Sequence, residues 1–376
     1  MEYASSAETT EQRAKRYQRA RLRLSLCDLG LSVAFVLALL FAGWSVALRD
    51  FAWQRADNDW MAVLIYALLL GACSKLLSFP LDFYSSYTLE HRYGLSNRKP
   101  SDWWKDFAKS LLIGAAFGLG AIEILYYTLR RFPDNWWLLC WAFFALFSIL
   151  MANLAPVLLF PLFYKFRPLT DEALKNRLVE LSRRAGARVK GVMEWKLSAK
   201  SKKANAALIG LGNTRRIILA DNLLNQYSPE EIEAILAHEL AHHVHNHIWK
   251  GIGFQLALSL AAFAFADQAL QHWGTYFGYR NIADFANFPL LLMVSMVLSL
   301  MALPIANAFS RRNERQADEF ALRMISDISP FISSMKKLAN QNLADRQPHP
   351  LIEFLFHSHP SIEKRIRRAE QFHRAA

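Results

Sequence analysis

Cysteine is nearly absent. Cys27, Cys73 and Cys140 are the three in 376 residues, and their spacing fits neither a disulfide framework nor a metal knuckle. All three fall in apolar stretches and read as reduced packing residues. A cleavable leader is not expected either. The first 24 residues are charged and polar, no small-residue cleavage site follows a short apolar run, and the next apolar block is long enough to stay as an anchor. The chain has no evident internal repeat or low-complexity tract. Its basic balance, 44 Lys and Arg against 32 Asp and Glu, comes without aromatics interleaved on a basic face, so nucleic acid is not an expected partner. The most telling shortage is of charge itself, over six long blocks.

Those blocks run over residues 25–48, 60–81, 107–129, 136–163, 251–270 and 286–309. About 20 apolar residues cross the hydrocarbon of a bilayer, so each is a candidate span. Glu123 and Asp267 interrupt the third and fifth, and Pro156 and Pro161 predict a kink in the fourth or its end near Pro156. A single block of this kind reads as a buried core helix; six in one chain read as a membrane bundle. Arg13, Lys15, Arg16, Arg19, Arg21 and Arg23 precede the first block. With the N-terminus inside, an even number of spans puts 98–105, 163–250 and 310–376 on the same side. These hold most of the Lys and Arg, whereas 50–59, 130–135 and 271–285 are nearly balanced, as the positive-inside rule requires. Lys75, Glu123 and Asp267 lie in or near spans, where a charge faces a wet interior, pairs, or snorkels to an end.

Two polar stretches interrupt the membrane pattern. From residue 165 to 250 the pattern predicts a helix over 171–186, strand-like runs at 189–195 and 206–211, and a turn at Gly212-Asn213 into a strand at 216–220. From 310 onward it is mostly helical. A further helix has a well-marked start at Ser228-Pro229-Glu230-Glu231. Ser228 suits the N-cap and pairs with Glu231 as a capping box, Pro229 suits the first helical position, and both glutamates complement the dipole.

That helix carries His238-Glu239-Leu240-Ala241-His242. Four-residue spacing puts two imidazoles on one face a turn apart, where both can bind one Zn²⁺, and Glu239 beside them can take a proton from water. The bland alternative is a solvated polar patch, or a His-rich run with His243, His245 and His247 that takes up metal adventitiously. A third ligand decides between them. In the extended His pattern it comes six residues after the second His with a Gly between, but Ile248 and His245 occupy those places. The other solution is a distant carboxylate giving His₂Glu with an open position. Glu314, in Ser310-Arg-Arg-Asn-Glu-Arg-Gln-Ala-Asp318, supplies one, and Asp318 a turn later can hold a ligand His from behind.

At these residues the chain resembles the type I CAAX prenyl proteases, a membrane branch of the gluzincin metallopeptidases. Residues 310–321 match their second zinc motif. Glu90-His91-Arg92-Tyr93-Gly94-Leu95, Pro161-Leu162-Phe163-Tyr164-Lys165-Phe166, Asn205-Ala206, residues 216–224 and His359-Pro360 followed by Arg365 match other parts of the family pattern. The resemblance implies His238, His242 and Glu314 as ligands of one Zn²⁺ and Glu239 as general base. It further implies that His359 stabilises the tetrahedral intermediate, that Arg365 pairs with Asp318, and that Asn205 holds an extended peptide beside an edge strand. Ala237 and Ala241 replace glycines, Ser361 replaces a proline and Ala204 a serine; none of these is a ligand position.

The expected architecture is mainly α: a polytopic membrane bundle of about six spans enclosing a chamber, with a cytoplasmic gluzincin-like α+β zinc peptidase domain. Its parts are a basic segment 1–24, four membrane helices over 25–163, a catalytic part 164–250, two membrane helices over 251–309 and a second catalytic part 310–376. The expected activity is endoproteolysis near the C-terminus of membrane-associated or prenylated peptides. The alternatives are a quality-control protease for membrane proteins and a transporter or scaffold with a structural metal site; the intact Glu239 argues against the last. No long N-terminal extension or retention signal is evident, which points to a bacterial inner membrane with the site on the cytoplasmic side.

Overall fold

The computed structural model describes residues 9–210 and 215–375. Thr9 and Gln12 form a capping box that opens helix α1 (Thr10–Phe41), so the basic stretch before the first span is the start of the same helix. Gly43, at φ 71°, makes the left-handed turn into α2 (Trp44–Trp53) that a side chain would resist. α3 (Asp59–Phe83) starts on an Asn58 cap and passes through a π-helical turn, Tyr84–Thr88, into α4 (Leu89–Arg92). α5 (Pro100–Arg131) and α6 (Trp136–Leu158) follow; α6 ends two residues beyond Pro156 and α7 (Phe160–Phe163) resumes its course.

The polar middle of the chain then builds a small sheet beside helix α8 (Glu172–Arg184). Strands β1 (Phe166–Pro168), β2 (Gly191–Trp195), β3 (Ala206–Ile209) and β4 (Arg216–Ala220) line up in the order β1-β2-β4-β3. β2 and β4 are parallel and the other pairs antiparallel. β3 is therefore an edge strand. The expected turn at Gly212-Asn213 lies outside the described residues. β1 has no alternating pattern to announce it, and its Pro168 is tolerated because β1 is the other edge. Next come α9 (Asp221–Gln226), α10 (Pro229–Val244), α11 (His247–Trp273), a 3₁₀ turn at Phe285–Asn287, and α12 (Phe288–Met324). Short helices α13 (Ser329–Gln341), α14 (Pro350–Phe356) and α15 (Ile362–Ala375) complete the chain.

Six helices are long and apolar enough to cross a membrane, those built on α1, α3, α5, α6, α11 and α12. Each packs on two of the others, in the closed circuit α1-α3-α5-α6-α11-α12-α1. A six-membered ring of helices has no seventh to fill its middle. Accordingly the most apolar stretches of α5, α6 and α11 contain no buried residue, because one face meets lipid and the other meets interior space. Leu76 and Leu112 stay more than 70% exposed, tolerable for a surface whose solvent is hydrocarbon. A cavity of about 490 Å³ between α1, α3, α5 and α12 is lined by Ser25, Asp28, Phe35, Gly71, Ile122 and Met296, among others.

One end of the ring is plugged by α2 and the 274–287 connection. Arg49 donates to Asp284 at 2.5 Å, both buried, and the Asp284 carboxylate also accepts the Arg280 and Ala286 backbone N–H groups. Ser45 donates to the Ala286 carbonyl and meets the Tyr66 hydroxyl, each at 2.7 Å; Tyr126 donates to Asn287 at 2.8 Å. Of the three charges in the spans, Asp267 is buried here and accepts from Trp136 Nε1 at 2.7 Å and Gln271 at 2.8 Å. Lys75 pairs with Asp82 two turns along α3. Glu123 Oε2 is buried with no hydrogen-bond partner among the described residues. The opposite end is closed by the sheet-containing domain, whose core gathers Leu178, Ile217, Leu219, Leu223, Ile232 and Phe331.

Candidate metal centre

α10 begins as its sequence specifies. Ser228 Oγ accepts the Glu231 N–H at 3.3 Å, and Glu231 Oε2 accepts the Ser228 N–H at 2.8 Å. Glu231 also takes hydrogen bonds from Ser333 and Lys337 of α13, both at 2.6 Å, so the cap also fastens a neighbouring helix. One turn apart on α10, His238 and His242 bring their Nε2 atoms to 3.4 Å. The third member arrives from the membrane. α12 does not stop where its apolar run stops; it continues unbroken to Met324 and carries Glu314 into the domain.

Glu314 Oε2 lies 3.3 Å from His238 Nε2, and Glu314 Oε1 lies 3.5 Å from His242 Nε2. Donors about 3.4 Å apart are the edges of a tetrahedron whose centre is about 2.1 Å from each, the range of Zn–N and Zn–O bonds. Glu314 is buried, and its Oε2 makes no hydrogen bond among the described residues despite its distance to His238. A buried carboxylate oxygen without a hydrogen is costly unless a cation satisfies it. His238, His242 and Glu314 are thus able to hold a metal ion, and the donor set suits zinc.

Each imidazole is held from behind. His238 Nδ1–H donates to Asp318 Oδ1 at 2.9 Å, which leaves Nε2 free toward Glu314. Asp318 in turn receives both arms of Arg365, at 2.6 and 2.9 Å, a charge-assisted bidentate pair. Two residues outside the expected set do the same for His242. His242 Nδ1 lies 3.1 Å from His247 Nδ1, and His247 Nε2 lies 2.9 Å from Gln316 Oε1. With His242 Nε2 kept free for a cation, its Nδ1–H donates to His247, and the His247 Nε2–H donates to Gln316. The rest of the His run is accounted for by packing: His243 Nε2 donates to the Leu208 carbonyl of β3 at 3.2 Å, and His245 meets the edge of Phe320.

Burial lowers the proton affinity of both imidazoles, but at His238 the Asp318 and Glu314 carboxylates override it and raise the pKa to about 9. At His242 burial and the neighbouring His238 prevail, and the value falls to about 4. Glu239 is pushed above the ordinary carboxyl range by burial and by the Glu314 charge, against the pull of His238 and Arg365. A carboxylate made more basic in this way is suited to taking a proton.

The remaining expected residues converge here too. His359 Nε2 is 3.3 Å from Glu314 Oε1, and its Nδ1 meets Ser358 Oγ at 2.9 Å. Asn205 precedes edge strand β3 and lines a cavity of about 220 Å³ that it shares with Glu239 and Arg365. Glu239 and Glu314 line a second cavity, of about 370 Å³, with Gly251 of α11 and Phe309 of α12 on its wall. The glutamate therefore stands between a groove along a free strand edge and a space that opens toward the helical ring.

Comparisons with known proteins bear on the family and the fold. Residues 4–165 match the family model described as CAAX prenyl protease N-terminal, five membrane helices. Among the described residues that region has four helices of membrane length and the ten-residue α2. Residues 168–373 match the model of peptidase family M48. The chain is 28% identical over 362 residues to the uncharacterised metalloprotease YhfN of Bacillus subtilis, covering 95% of this chain and 85% of that one. It is also 28% identical to CAAX prenyl protease 1 of Saccharomyces cerevisiae, over 81% of this chain and 71% of the yeast protein. The crystal structure of Ste24p from S. mikatae has the same fold, with a TM-score of 0.87 over 98% of this chain and 91% of that one, at 24% identity. With six helices of membrane length and a His-His-Glu group able to hold a metal, the chain belongs to peptidase family M48 and is a multi-pass membrane metalloprotease.

Proposed function

We propose that the protein is a zinc endopeptidase cutting peptide bonds near the C-terminus of membrane-associated or prenylated peptides. The observation that carries this reading is the position of Glu239, beside the two histidines and between a free strand edge and an opening toward the hollow ring. His238, His242 and Glu314 hold the zinc. When bound, zinc supplies a Lewis acid that polarises a carbonyl and acidifies water. The peptide extends along β3 by strand addition, with Asn205 gripping its backbone. Its lipid-modified part lies in the interior of the ring. Glu239 takes the proton of the attacking water and returns it to the leaving amine. His359, exposed at the rim, donates to the oxyanion that develops on the carbonyl. Arg365 fixes Asp318, Asp318 fixes His238, and Gln316 and His247 fix His242, so neither ring has to be oriented during turnover. The basic stretches at 98–105, 163–250 and 310–376 favour the cytoplasmic side for both catalytic parts, 164–250 and 310–376.

The test is cleavage of a farnesylated CAAX peptide by the detergent-purified chain, with Glu239→Gln and an unmodified peptide of the same sequence alongside. Cleavage by wild type alone, faster on the farnesylated peptide, is the expected result. If the farnesylated peptide stays intact under conditions where an unmodified membrane-protein segment is cut, the prenyl preference is wrong and the peptidase chemistry stands. If nothing is cut by the zinc-loaded protein, the enzymatic reading itself fails.

A further inference from the structure

Behind the metal centre, on the side of Arg365 away from His238, lies a cavity of about 490 Å³ that the peptidase reading does not use. Six cationic side chains and two carboxylates line it. Both carboxylates are already engaged. Asp318 holds Arg365 and His238, and buried Glu353 accepts both contacts from Lys364 at 3.0 Å. Arg311 is buried and spends its guanidinium on the carbonyls of Glu353, Phe354 and His357, at 3.0, 3.2 and 2.6 Å.

Arg315, Arg367 and Arg368 are left over; Arg367 faces solvent, which leaves Arg315 and Arg368. Both are half-buried on the cavity wall, and among the described residues neither has a partner at hydrogen-bond or ion-pair distance. The charges acting most strongly on Arg315 are the arginines 368, 311 and 312, with Glu319 in opposition. Surface arginines that face bulk water are ordinary. Two that line one cavity, partly desolvated and with no carboxylate at ion-pair distance among the described residues, raise the free energy of the fold unless an anion joins them. The planar fork of arginine matches the oxygens of a phosphate group in particular.

The surroundings add a second, independent observation. Asn307 donates to the Leu355 carbonyl at 2.6 Å and, with Arg311, lays α14 across α12 at the level where the apolar run of α12 gives out. α14 leaves Leu351, Phe354 and Phe356 exposed. Apolar side chains directed outward at the end of a membrane helix, with an arginine-lined cavity next to them, form the pattern of a bilayer interface that takes a lipid headgroup.

We propose that Arg315 and Arg368 form a binding site for a phosphate group, the headgroup of an anionic phospholipid or a free phosphate compound, distinct from the peptide site and backed against Arg365. The site holds the metal domain against the membrane surface beside α14 when the phosphate belongs to a lipid.

The experiment is native mass spectrometry of the full chain released from neutral detergent, titrated with phosphatidylglycerol in one arm and inorganic pyrophosphate in the other. Wild type is expected to bind in at least one arm. Arg315→Gln/Arg368→Gln should weaken that binding about tenfold or more, the loss of at least one charge-assisted hydrogen bond. Arg315→Lys/Arg368→Lys should retain most of it, and the exposed control Arg312→Gln all of it. Binding of lipid alone assigns the site to the bilayer, and binding of both or of pyrophosphate alone assigns it to soluble phosphates; either supports the site. Equal binding by wild type and the Gln pair, or none by wild type in either arm, overturns it. Should the Gln pair fail to fold, Arg368→Gln alone gives the same comparison with one guanidinium removed.

Discussion

The two ends of the helical ring treat buried charge differently. At the plugged end the charged groups find partners within the chain, Arg49 with Asp284 and Asp267 with Trp136 and Gln271, as does Ser45 with Tyr66 and the Ala286 carbonyl, while the buried Tyr279 hydroxyl has none among the described residues. At the metal end two imidazoles and a carboxylate converge, and one oxygen of Glu314 is left without a hydrogen. Both ends pay the desolvation penalty of burying charge, and at the metal end Glu314 Oε2 does not recover it within the described residues. Ion pairs closed within the chain mark the end that holds the fold together. At the other end, an open carboxylate oxygen beside two imidazoles held from behind is suited to a cation.

Substitutions can break that contrast. The largest effect expected is from Glu239→Gln, which should lower peptidase turnover about 10³-fold or more while zinc content, measured by atomic absorption, stays at wild-type level. A loss of zinc in this variant would mean that Glu239 belongs to the binding set and not to the chemistry. At the opposite end, Asp284→Ala leaves buried Arg49 with only the half-exposed Asp50 as counter-ion, which should cost about 2–3 kcal/mol of stability. Thermal unfolding in detergent should show it, and zinc affinity of the folded fraction should not change. If zinc affinity falls with it, the two ends are not separable.

Smaller effects sharpen the comparison. His247→Ala and Gln316→Ala remove the support of His242 and should each weaken zinc binding about 10–100-fold, measured by competition with a chelator, with little change in the unfolding midpoint. Equal affinity for wild type and His247→Ala would reduce the His242–His247 contact to packing. Smallest is Ser228→Ala, expected to cost about 1 kcal/mol of stability through loss of the α10 cap. Hydrogen exchange should place that loss in the first turn of α10 and leave the plugged end as protected as before.

The parts of this structure that were legible in the sequence are those written in short-range spacing. Six apolar blocks, the Ser228–Glu231 box and the 238–242 and 314–318 pairs each depend on neighbours within one or a few helical turns, and they stand close to where spacing put them. Asp318 as the support of His238 was readable for the same reason. His247 and Gln316 were not. They sit in plain view in the sequence, but their contact spans 69 residues, and in a run with His243 and His245 nothing local distinguishes the histidine that turns toward His242. The plug was equally silent: Arg49 and Asp284 are 235 residues apart, and each alone reads as a loop charge. Nor does any block of apolar residues state which two others it will touch, so the hollow of the ring appears only once its closure is seen.

Because α12 is one continuous helix from Phe288 to Met324, the candidate metal ligand Glu314 rides on the same rod that lipid grips. Pro304, inside that helix, removes one backbone hydrogen bond and is its natural joint. From there to Glu314 is about 15 Å at 1.5 Å per residue, so a bend of about 5° at Pro304 would carry the carboxylate by about 1.3 Å. Misplacements of about 1 Å are enough to cost two orders of magnitude in rate. Bilayer thickness, which sets how far such helices lean, thereby becomes a mechanical variable of the active site, and the rate of this protein should depend on the acyl-chain length of the membrane around it.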